Sequence, residues 1–170
     1  MPDPIDIRPI TESERAWQRE ILTEHFSSPR ISSRRKWIDT MVLPGLVAWR
    51  GGQRVGILMH APMERGKECE LVAFAASGTQ GGVGTPLLAA FVEAGNRAGC
   101  SRLVLTTTND NLDAMRLYQR RGWRMVKVYP GAMDDARREM PEMPLIGSYG
   151  IAMRDDVEFE LRLDGGESTE

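Results

Sequence analysis

A glycine-rich segment at residues 79–86, TQGGVGTP, points most clearly to chemistry. Glycines let backbone N–H groups turn toward an anion, and the start of a helix adds positive potential. The apolar run ELVAFAA before the segment predicts a strand, and the leucine- and alanine-rich run after Pro86 predicts a helix. A plain flexible turn is the alternative, but the position between a strand and a proline-started helix favours a site for a phosphate group.

The two commonest phosphate-binding loops do not fit this segment. A P-loop has Lys and then Ser or Thr directly after its last glycine, whereas Gly84 is followed by Thr85 and Pro86. A dinucleotide fingerprint needs Gly or Ala three residues after its second glycine, and counting from Gly82 and Gly84 reaches Leu87. That fingerprint also opens the first strand-helix unit of a chain, whereas this loop follows a predicted helix and three strands.

A second group is formed by Asn111, Ala114 and Tyr118, whose spacings of three and four residues place them on one side of a helix. A side-chain amide can cap such a helix or bind a ligand, and a phenol can donate a proton. Met115 lies on the same side. The alternative is therefore that Ala114, Met115 and Tyr118 are core residues and that Asn111 is only a cap.

The elements that must position these residues follow from the hydrophobic pattern. The segment TESE opens a first helix with a capping box, and GLVAWR-GGQ-VGILMH predicts a β-hairpin. After the glycine loop we expect a helix that ends at Gly99, a strand, a helix from Asn109 or Asn111 to Gly122, and two late strands separated by a short helical piece. Residues 27–44 are ambiguous between loop, helix and strand.

Composition narrows the class of protein. A chain of 170 residues, 41% hydrophobic and 27% charged, has the size of one compact domain, taken as residues 1–163 with a flexible acidic tail at 164–170. The formal charge of −2 disfavours nucleic-acid binding. No apolar run approaches the roughly 20 residues of a membrane span and no signal-peptide pattern opens the chain, so a soluble cytoplasmic protein without membrane contact is expected.

The residues that usually bind metals are few and badly spaced for the purpose. Cys69 and Cys100 do not form a C-x-x-C pair, and His25 and His60 lack ligand spacing. We therefore expect neither a metal site nor a disulfide framework.

Together the glycine loop and the second group resemble the acetyl-CoA-binding core of the GNAT N-acetyltransferases. In that family a strand, a glycine-rich pyrophosphate loop and a helix are followed by a strand and a helix with N-x-x-A-x-x-x-Y and then G-F or G-W. Five residues match this pattern in register: Asn111, Ala114, Tyr118, Gly122 and Trp123. The order of elements fits over residues 5–163, and residues 141–161 resemble a bacterial subgroup whose substrates are mostly unassigned.

The resemblance implies an α/β (α+β) fold with a central mixed, mostly antiparallel sheet of about six or seven strands. Helices flank this sheet, and it is splayed at the acetyl-CoA site. Acetyl-CoA would be the cosubstrate, with its pyrophosphate on loop N–H groups and its pantetheine arm paired along a strand. The implied cofactor-binding residues are Val72, Phe74, Ala75, Thr79, Gln80, Gly81, Gly82, Val83, Gly84, Thr85, Asn111, Ala114 and Tyr118.

One position of the loop departs from the family pattern. The family usually has Arg or Gln where Thr79 stands, and Gln80 comes one position late. A hydroxyl then replaces a charge beside the pyrophosphate. Cofactor binding should therefore depend more on backbone N–H groups.

The implied reaction is direct attack of a primary amine on the thioester, with a backbone N–H near Phe74 stabilising the oxyanion. Tyr118 matches the family's usual general acid, and a phenol pKa of about 10 keeps its proton at neutral pH. Glu70 is a candidate base, since alternation along its strand would place it on one face with Val72 and Phe74. A solvated strand end, a water-mediated route and His60 remain alternatives.

Two functional hypotheses follow. The first is an N-acetyltransferase acting on a small-molecule or peptide amine, and the second is an acyl-CoA-binding sensor or structural protein without catalysis. The acceptor surface would come from the first helix and from residues 27–37 and 130–147. Acidic residues in the last segment suit a cationic amine or serve solubility: Asp134, Asp135, Glu139 and Glu142. The resemblance is also compatible with a homodimer.

Overall fold

The computed structural model describes residues 3–77 and 81–163. Its strands are β1 (Asp6–Pro9), β2 (Arg30–Ser33), β3 (Lys36–Asp39), β4 (Gly45–Arg50), β5 (Gln53–His60), β6 (Glu68–Ala76), β7 (Arg102–Thr108), β8 (Arg124–Tyr129) and β9 (Asp156–Arg162). Its α-helices are α1 (Arg15–Phe26), α2 (Gly84–Ala98), α3 (Leu112–Arg120) and α4 (Ala132–Glu139). The predictions for Thr79, for Gln80 and for the tail at 164–170 concern residues outside the described ranges.

Seven of these strands form one sheet in the order β1-β4-β5-β6-β7-β9-β8. Every neighbouring pair is antiparallel except β6 and β7, which are parallel and are connected through α2. The mixed, mostly antiparallel sheet with flanking helices confirms the predicted fold class. The hairpin β2–β3 stands apart from this sheet.

Most element ends follow from local chemistry. The β4–β5 hairpin turns at Gly51 and Gly52, whose φ angles of +56° and +75° are those that glycine adopts without strain. Gly99 ends α2 at φ +75°. Asn111, rather than Asn109, caps α3, because its Oδ1 accepts the Ala114 N–H at 3.4 Å.

The ambiguous residues 27–44 contain the β2–β3 hairpin and a short 3₁₀ helix at Thr40–Val42. The turn between β2 and β3 is made by Arg34 and Arg35, which have φ angles of +49° and +62°. Turn prediction depends on Gly, Asn and Asp at such positions, so two arginines give no signal. Tertiary contacts hold this turn, including an ion pair between Arg34 and Glu70 at 2.9 Å.

Apolar clusters cover both faces of the sheet. On one face α2 and α3 pack through Leu87, Phe91 and Tyr118 against Phe159. On the other face, α1 packs through buried Ile21 and Leu22 against the central strands. A smaller cluster around Met133 on α4 lies beside the β2–β3 hairpin.

The sheet is splayed between β6 and β7. The two strands pair only where Glu68–Leu71 face Arg102–Leu105, although β6 continues to Ala76 and β7 to Thr108. Beyond Leu71 the far edge of β6 is still covered by β5. The edge of β6 that faces β7 is therefore open over residues 72–76.

A bulge at Val72 lies where the splay begins. His60 is paired with Leu71 and Met59 with Ala73, so Val72 is an additional residue in β6. Leu71 belongs to the cluster under α2, whereas Ala73 belongs to the cluster under α1, so the alternation of faces reverses at the bulge. The expectation that Glu70 and Phe74 share a face is therefore wrong.

Candidate functional site

A cavity of about 480 Å³ opens at the splay. This volume is in the range of small-molecule sites. Its central residues come from β6 and β7: Val72, Phe74, Thr106, Thr107 and Thr108. The side chain of Thr107 faces α3, and its Oγ1 accepts a hydrogen bond from Asn111 Nδ2 at 3.1 Å. The side chain of Thr106 faces the other side of the sheet, and its Oγ1 lies 2.8 Å from Ser33 Oγ. The cavity therefore passes through the sheet.

The open edge of β6 presents backbone groups to this cavity. The Ser77 N–H donates to Val55 O on β5 at 2.9 Å. Alternation along an antiparallel strand then directs the N–H groups of Ala75 toward β5 and those of Phe74 and Ala76 toward the cavity. Phe74 and Ala76 are thus in position to pair with an extended ligand, whereas the backbone of Ala75 is used within the sheet.

The described part of the glycine loop leads directly into α2. Gly82 has φ +88°, which strains any residue with a side chain, and Val83 is buried beneath the loop. Since α2 begins at Gly84, its first N–H groups come from Gly84 and Thr85, and Pro86 has none. These N–H groups and the helix dipole make the end of the loop suitable for an anion.

A cation lies next to this loop. A Cβ built on Gly82 would be 3.9 Å from Nη2 of Arg50, the last residue of β4. The sequence pattern gave no sign of this residue, because its position beside the loop depends on how the β4–β5 hairpin packs. Gly56 on β5 supports the same packing, since a Cβ there would lie 2.6 Å from Val83 Cγ1.

On α3, Asn111 lines the cavity, and Ala114 is partly buried against the core. Tyr118 is only 4% exposed, and its ring packs on Phe159 and Trp123 with centroid distances of 5.6 and 6.0 Å. It is not among the residues that line the cavity. Burial raises the pKa of the Tyr118 phenol above its ordinary value, so the phenol keeps its proton at neutral pH.

Glu70 is buried and fully engaged. It accepts a short hydrogen bond from Ser33 Oγ at Oε1, and Arg34 Nη2 donates to Oε2 at 2.9 Å. It is neither a solvated strand end nor a residue that lines the cavity. His60 is also away from the cavity: it packs on Phe91 at 5.4 Å, and burial lowers the pKa of its imidazole.

Two carboxylates that sequence reasoning missed do line the cavity. Asp156, at the start of β9 opposite Thr108, is 2% exposed, and its Oδ2 has no hydrogen-bond partner among residues 3–77 and 81–163. Asp110 is 3% exposed; its Oδ2 accepts the Ser148 N–H at 2.8 Å, and its Oδ1 has no partner in the same described residues.

Burial is the main reason why the pKa of Asp156 is raised from 3.8 to about 7. Asp155 and Glu70 raise it further, and Arg35 opposes them. The alternation DVEFE could have placed Asp156 on one face with Glu158. Which of these two carboxylates keeps an unpaired oxygen depends on the surrounding elements. Glu158 accepts a hydrogen bond from the Tyr129 hydroxyl at 2.9 Å, whereas Asp156 Oδ2 has no such partner in the described residues.

Part of the cavity wall, the methionine wall, is apolar. It contains four methionines and two aromatic residues: Met133, Met140, Met143, Met153, Phe26 and Trp37. Arg137 holds part of this wall by donating to the backbone oxygens of Met143, Pro144 and Met153 at 3.3, 2.9 and 2.8 Å.

The four acidic residues singled out in the sequence do not line the cavity: Asp134, Asp135, Glu139 and Glu142. Asp134 pairs with Arg137 at 2.9 Å and is 60% exposed. Asp135 pairs with Arg35 and Arg138. The negative charge inside the cavity therefore comes from other carboxylates.

Cys69 and Cys100 are buried and free. Within the described ranges, no three His, Cys, Asp or Glu side chains are grouped as a metal site. No helix in that part of the chain is both long and apolar enough to cross a membrane.

Comparison with known proteins agrees with this geometry. Residues 11–123 match the model of the Acetyltransferase (GNAT) family. The chain is 31% identical over 159 residues to the Bacillus subtilis (strain 168) protein YdhI, covering 93% of this chain and 98% of YdhI.

Solved structures show the same likeness. An IAA acetyltransferase from Bacillus cereus ATCC 14579 superposes with a TM-score of 0.75 at 25% identity, covering 94% of this chain and all of that one. A GNAT family acetyltransferase from Elizabethkingia anophelis with acetyl-CoA bound shares the fold at 18% identity and a TM-score of 0.66, over 94% and 98% of the two chains. This chain belongs to the acetyltransferase (GNAT) family.

Proposed function

We propose that this protein transfers an acetyl group from acetyl-CoA to a primary amine of a small molecule or peptide. The observation that carries the proposal is the open edge of β6 beside the glycine loop, within a cavity that reaches both faces of the sheet. One face offers backbone N–H groups and a helix start for an anionic cosubstrate. The other face offers a buried space for the acceptor.

The described residues suit the parts of acetyl-CoA. The N–H groups of Phe74 and Ala76 suit the amide-bearing pantetheine arm, as in strand addition. Residues 81–85 and Arg50 suit the pyrophosphate. Val72, Asn111 and Ala114 would shape the channel between these two parts, and the predicted contacts of Thr79 and Gln80 stay predictions. Acetyl-CoA, when bound, supplies a thioester that an amine can attack.

The protein's own groups then have three tasks. First, an amine with a pKa of about 10 must lose a proton before it attacks. Second, the oxyanion needs a fixed hydrogen-bond donor. Third, the leaving thiolate needs a proton. The Phe74 N–H suits the second task. Tyr118 is proposed for the third, because its buried phenol is neutral and lies one turn beyond Ala114 on the same face of α3. Its rotation out of the core would be required.

One observation favours the alternative of an acyl-CoA-binding protein without catalysis. Glu70, the carboxylate expected to act as base, is held by Ser33 and Arg34. Tyr118 also packs in the core rather than against the cavity. Binding of acetyl-CoA without turnover is the distinguishing result for this alternative.

Calorimetry with acetyl-CoA and an assay of CoA release over a panel of amines test the proposal. Tyr118→Phe should bind acetyl-CoA like the wild type and lose most of its turnover at saturating amine. Tyr149→Phe is the matched control, because Tyr149 is 68% exposed. Unchanged turnover in Tyr118→Phe would contradict its role as acid, and failure of the wild type to bind acetyl-CoA would contradict both functions.

The expected homodimer and cytoplasmic location stay predictions. Exposed apolar residues on the edge strand β8 offer a surface for a second copy: Met125, Val126 and Val128. Light scattering of the purified protein measures its mass. A monomeric mass at micromolar concentration would contradict the dimer.

A further inference from the structure

The acceptor side of the cavity contains two carboxyl groups whose oxygens the protein does not fully pair. Asp156 and Asp110 are both more than nine-tenths buried, and each has one carboxylate oxygen without a hydrogen-bond partner in the described chain. Buried polar atoms of this kind are rare in folded proteins, because the lost hydration costs free energy. A cationic ligand in the cavity would supply the missing partner.

The two carboxylates are not equivalent. Asp110 is tied to the backbone of Ser148, and a Cβ at Gly147 would overlap its Oδ2. Asp156 lies opposite Thr108, one strand from the splay, on the sheet face that Thr106 shares. It therefore combines an unpaired oxygen with a position next to the open edges of β6 and β7.

The wall around these carboxylates selects for an apolar body. The methionine wall defined above is flexible and polarisable, and Trp37 and Phe26 add aromatic surface. A polycation would have to place part of its charged chain against these apolar side chains. A compact amine with a hydrocarbon or aromatic body would bury that body and place its ammonium group at the carboxylates.

We propose that the acceptor is a compact primary amine with an apolar body, and that Asp156 is the catalytic base that binds its ammonium group and removes one proton. This rests on the acetyltransferase function proposed above. Asp110 adds negative potential, which holds the cation. Neither role requires Glu70, whose oxygens are already occupied.

The proton balance is complete without another reactant. One proton passes from the ammonium nitrogen to Asp156 Oδ2 and then to solvent through the mouth of the cavity. The free amine forms the C–N bond to the acetyl carbon as the C–S bond breaks. A second proton from the nitrogen ends on the sulfur, so the products are the amide, CoA thiol and one released proton.

The first test measures binding of 2-phenylethylamine by calorimetry without acetyl-CoA, with 2-phenylethanol as the uncharged analogue and spermidine as the polar polycation. We expect the amine to bind, and its affinity to rise about eight- to tenfold from pH 6 to pH 8, because a pKa of about 7 takes Asp156 from about one-tenth to about nine-tenths ionised across that range. Asp156→Asn should remove this pH dependence. Equal binding of 2-phenylethanol, or an unchanged pH profile in the variant, would overturn the proposal.

Other charged groups near the site need their own controls. Those that face Asp156 are Arg35 on the β2–β3 turn, Glu70 on β6, Tyr129 opposite it on β8, and Asp155 and Glu158 in its own segment. The cavity is also lined by Glu24, His25, Arg30 and Asp110. Histidine is the other side-chain type that changes charge in this pH range, so His25→Gln is measured in parallel. Loss of the pH dependence in His25→Gln, with Asp156→Asn unchanged, would overturn the assignment.

The second test measures kcat/KM from CoA release. Asp156→Asn should lower it by about 10²- to 10⁴-fold for 2-phenylethylamine, the usual contribution of a general base, with acetyl-CoA affinity unchanged. Glu139→Gln removes an exposed carboxylate of α4 and is the control. Turnover of spermidine alone would overturn this inference and leave the acetyltransferase function standing, whereas acetyl-CoA binding without turnover of any amine would overturn both.

Discussion

The raised pKa of Asp156 leads to a prediction about stability that can be tested without acetyl-CoA or an amine. Its pKa is about 7 in the folded protein and 3.8 at its ordinary value, so between these pH values the folded state keeps a proton that the unfolded chain has lost. The free energy of unfolding must therefore fall as the pH rises through this window. Asn at this position stays neutral at every pH, so Asp156→Asn should be more stable than the wild type above the window.

The size of the effect follows from the two pKa values. At about 1.4 kcal/mol per tenfold difference, the variant gains about 1 kcal/mol at pH 4.5 and about 4 kcal/mol at pH 8. Urea unfolding of both proteins at pH 4.5, 6 and 8 measures this difference as a widening gap in midpoint. For a chain of this length, 4 kcal/mol corresponds to a rise in Tm of about 10 °C.

A matched control separates this effect from general loss of charge. Glu139→Gln removes one carboxylate from the exposed face of α4 and should change the free energy of unfolding by no more than about 0.5 kcal/mol. If the Asp156→Asn and wild-type curves stay parallel from pH 4.5 to pH 8, Asp156 is not a buried acid with a raised pKa. The same result would remove one support of its proposed role as base.

Three further changes test other parts of the site. Arg50→Gln should weaken acetyl-CoA binding by about tenfold in calorimetry and leave the KM of the amine unchanged, because the Arg50 guanidinium lies beside Gly82. Equal affinity of the variant and the wild type for acetyl-CoA at low salt would contradict this. Gly56→Ala should lower the free energy of unfolding by about 1–3 kcal/mol, measured in urea. The reason is that the added Cβ would lie 2.6 Å from Val83 Cγ1 and 2.9 Å from Leu87 Cδ1. An unfolding midpoint equal to that of the wild type would show that these two side chains move aside without cost. Arg137→Gln should raise the KM of the amine and leave the affinity for acetyl-CoA unchanged, because the substitution releases three backbone oxygens of the cavity wall. An equal weakening of amine and acetyl-CoA binding would indicate general unfolding instead.

The sequence predicts those parts of the fold whose signals are local. The capping box at Thr11 is an example. It caps the 3₁₀ turn Glu12–Glu14 that leads into α1, and the Thr11 N–H donates to the Glu14 carboxylate at 2.7 Å, as the spacing of the two residues requires. Gly99 and the Gly51–Gly52 turn are similar, because their positive φ angles suit glycine. The β2–β3 hairpin has no such signal, since its turn consists of two arginines held by distant partners.

The candidate site likewise contains residues that have a local sequence signal and residues that have none. Residues such as Asn111 are predictable because a cap has a sequence pattern, and the structure places Asn111 at the cavity. Asp156 has no comparable pattern. Its special property is that one of its oxygens has no hydrogen-bond partner in the described residues after β7 and β8 have paired with β9, and such an absence follows only from the complete tertiary arrangement.

The bulge at Val72 explains why the expected base and the proposed base differ. A regular strand would have placed Glu70 on one face with Phe74, whose N–H is proposed to stabilise the oxyanion. The additional residue reverses the faces, so Glu70 points toward the β2–β3 turn and is held there by Arg34 and Ser33. The same bulge lies where β6 leaves β7, which opens the cavity toward Asp156 on β9. The inserted residue thus accounts for the absence of Glu70 from the cavity, whereas Asp156 lines the cavity from β9.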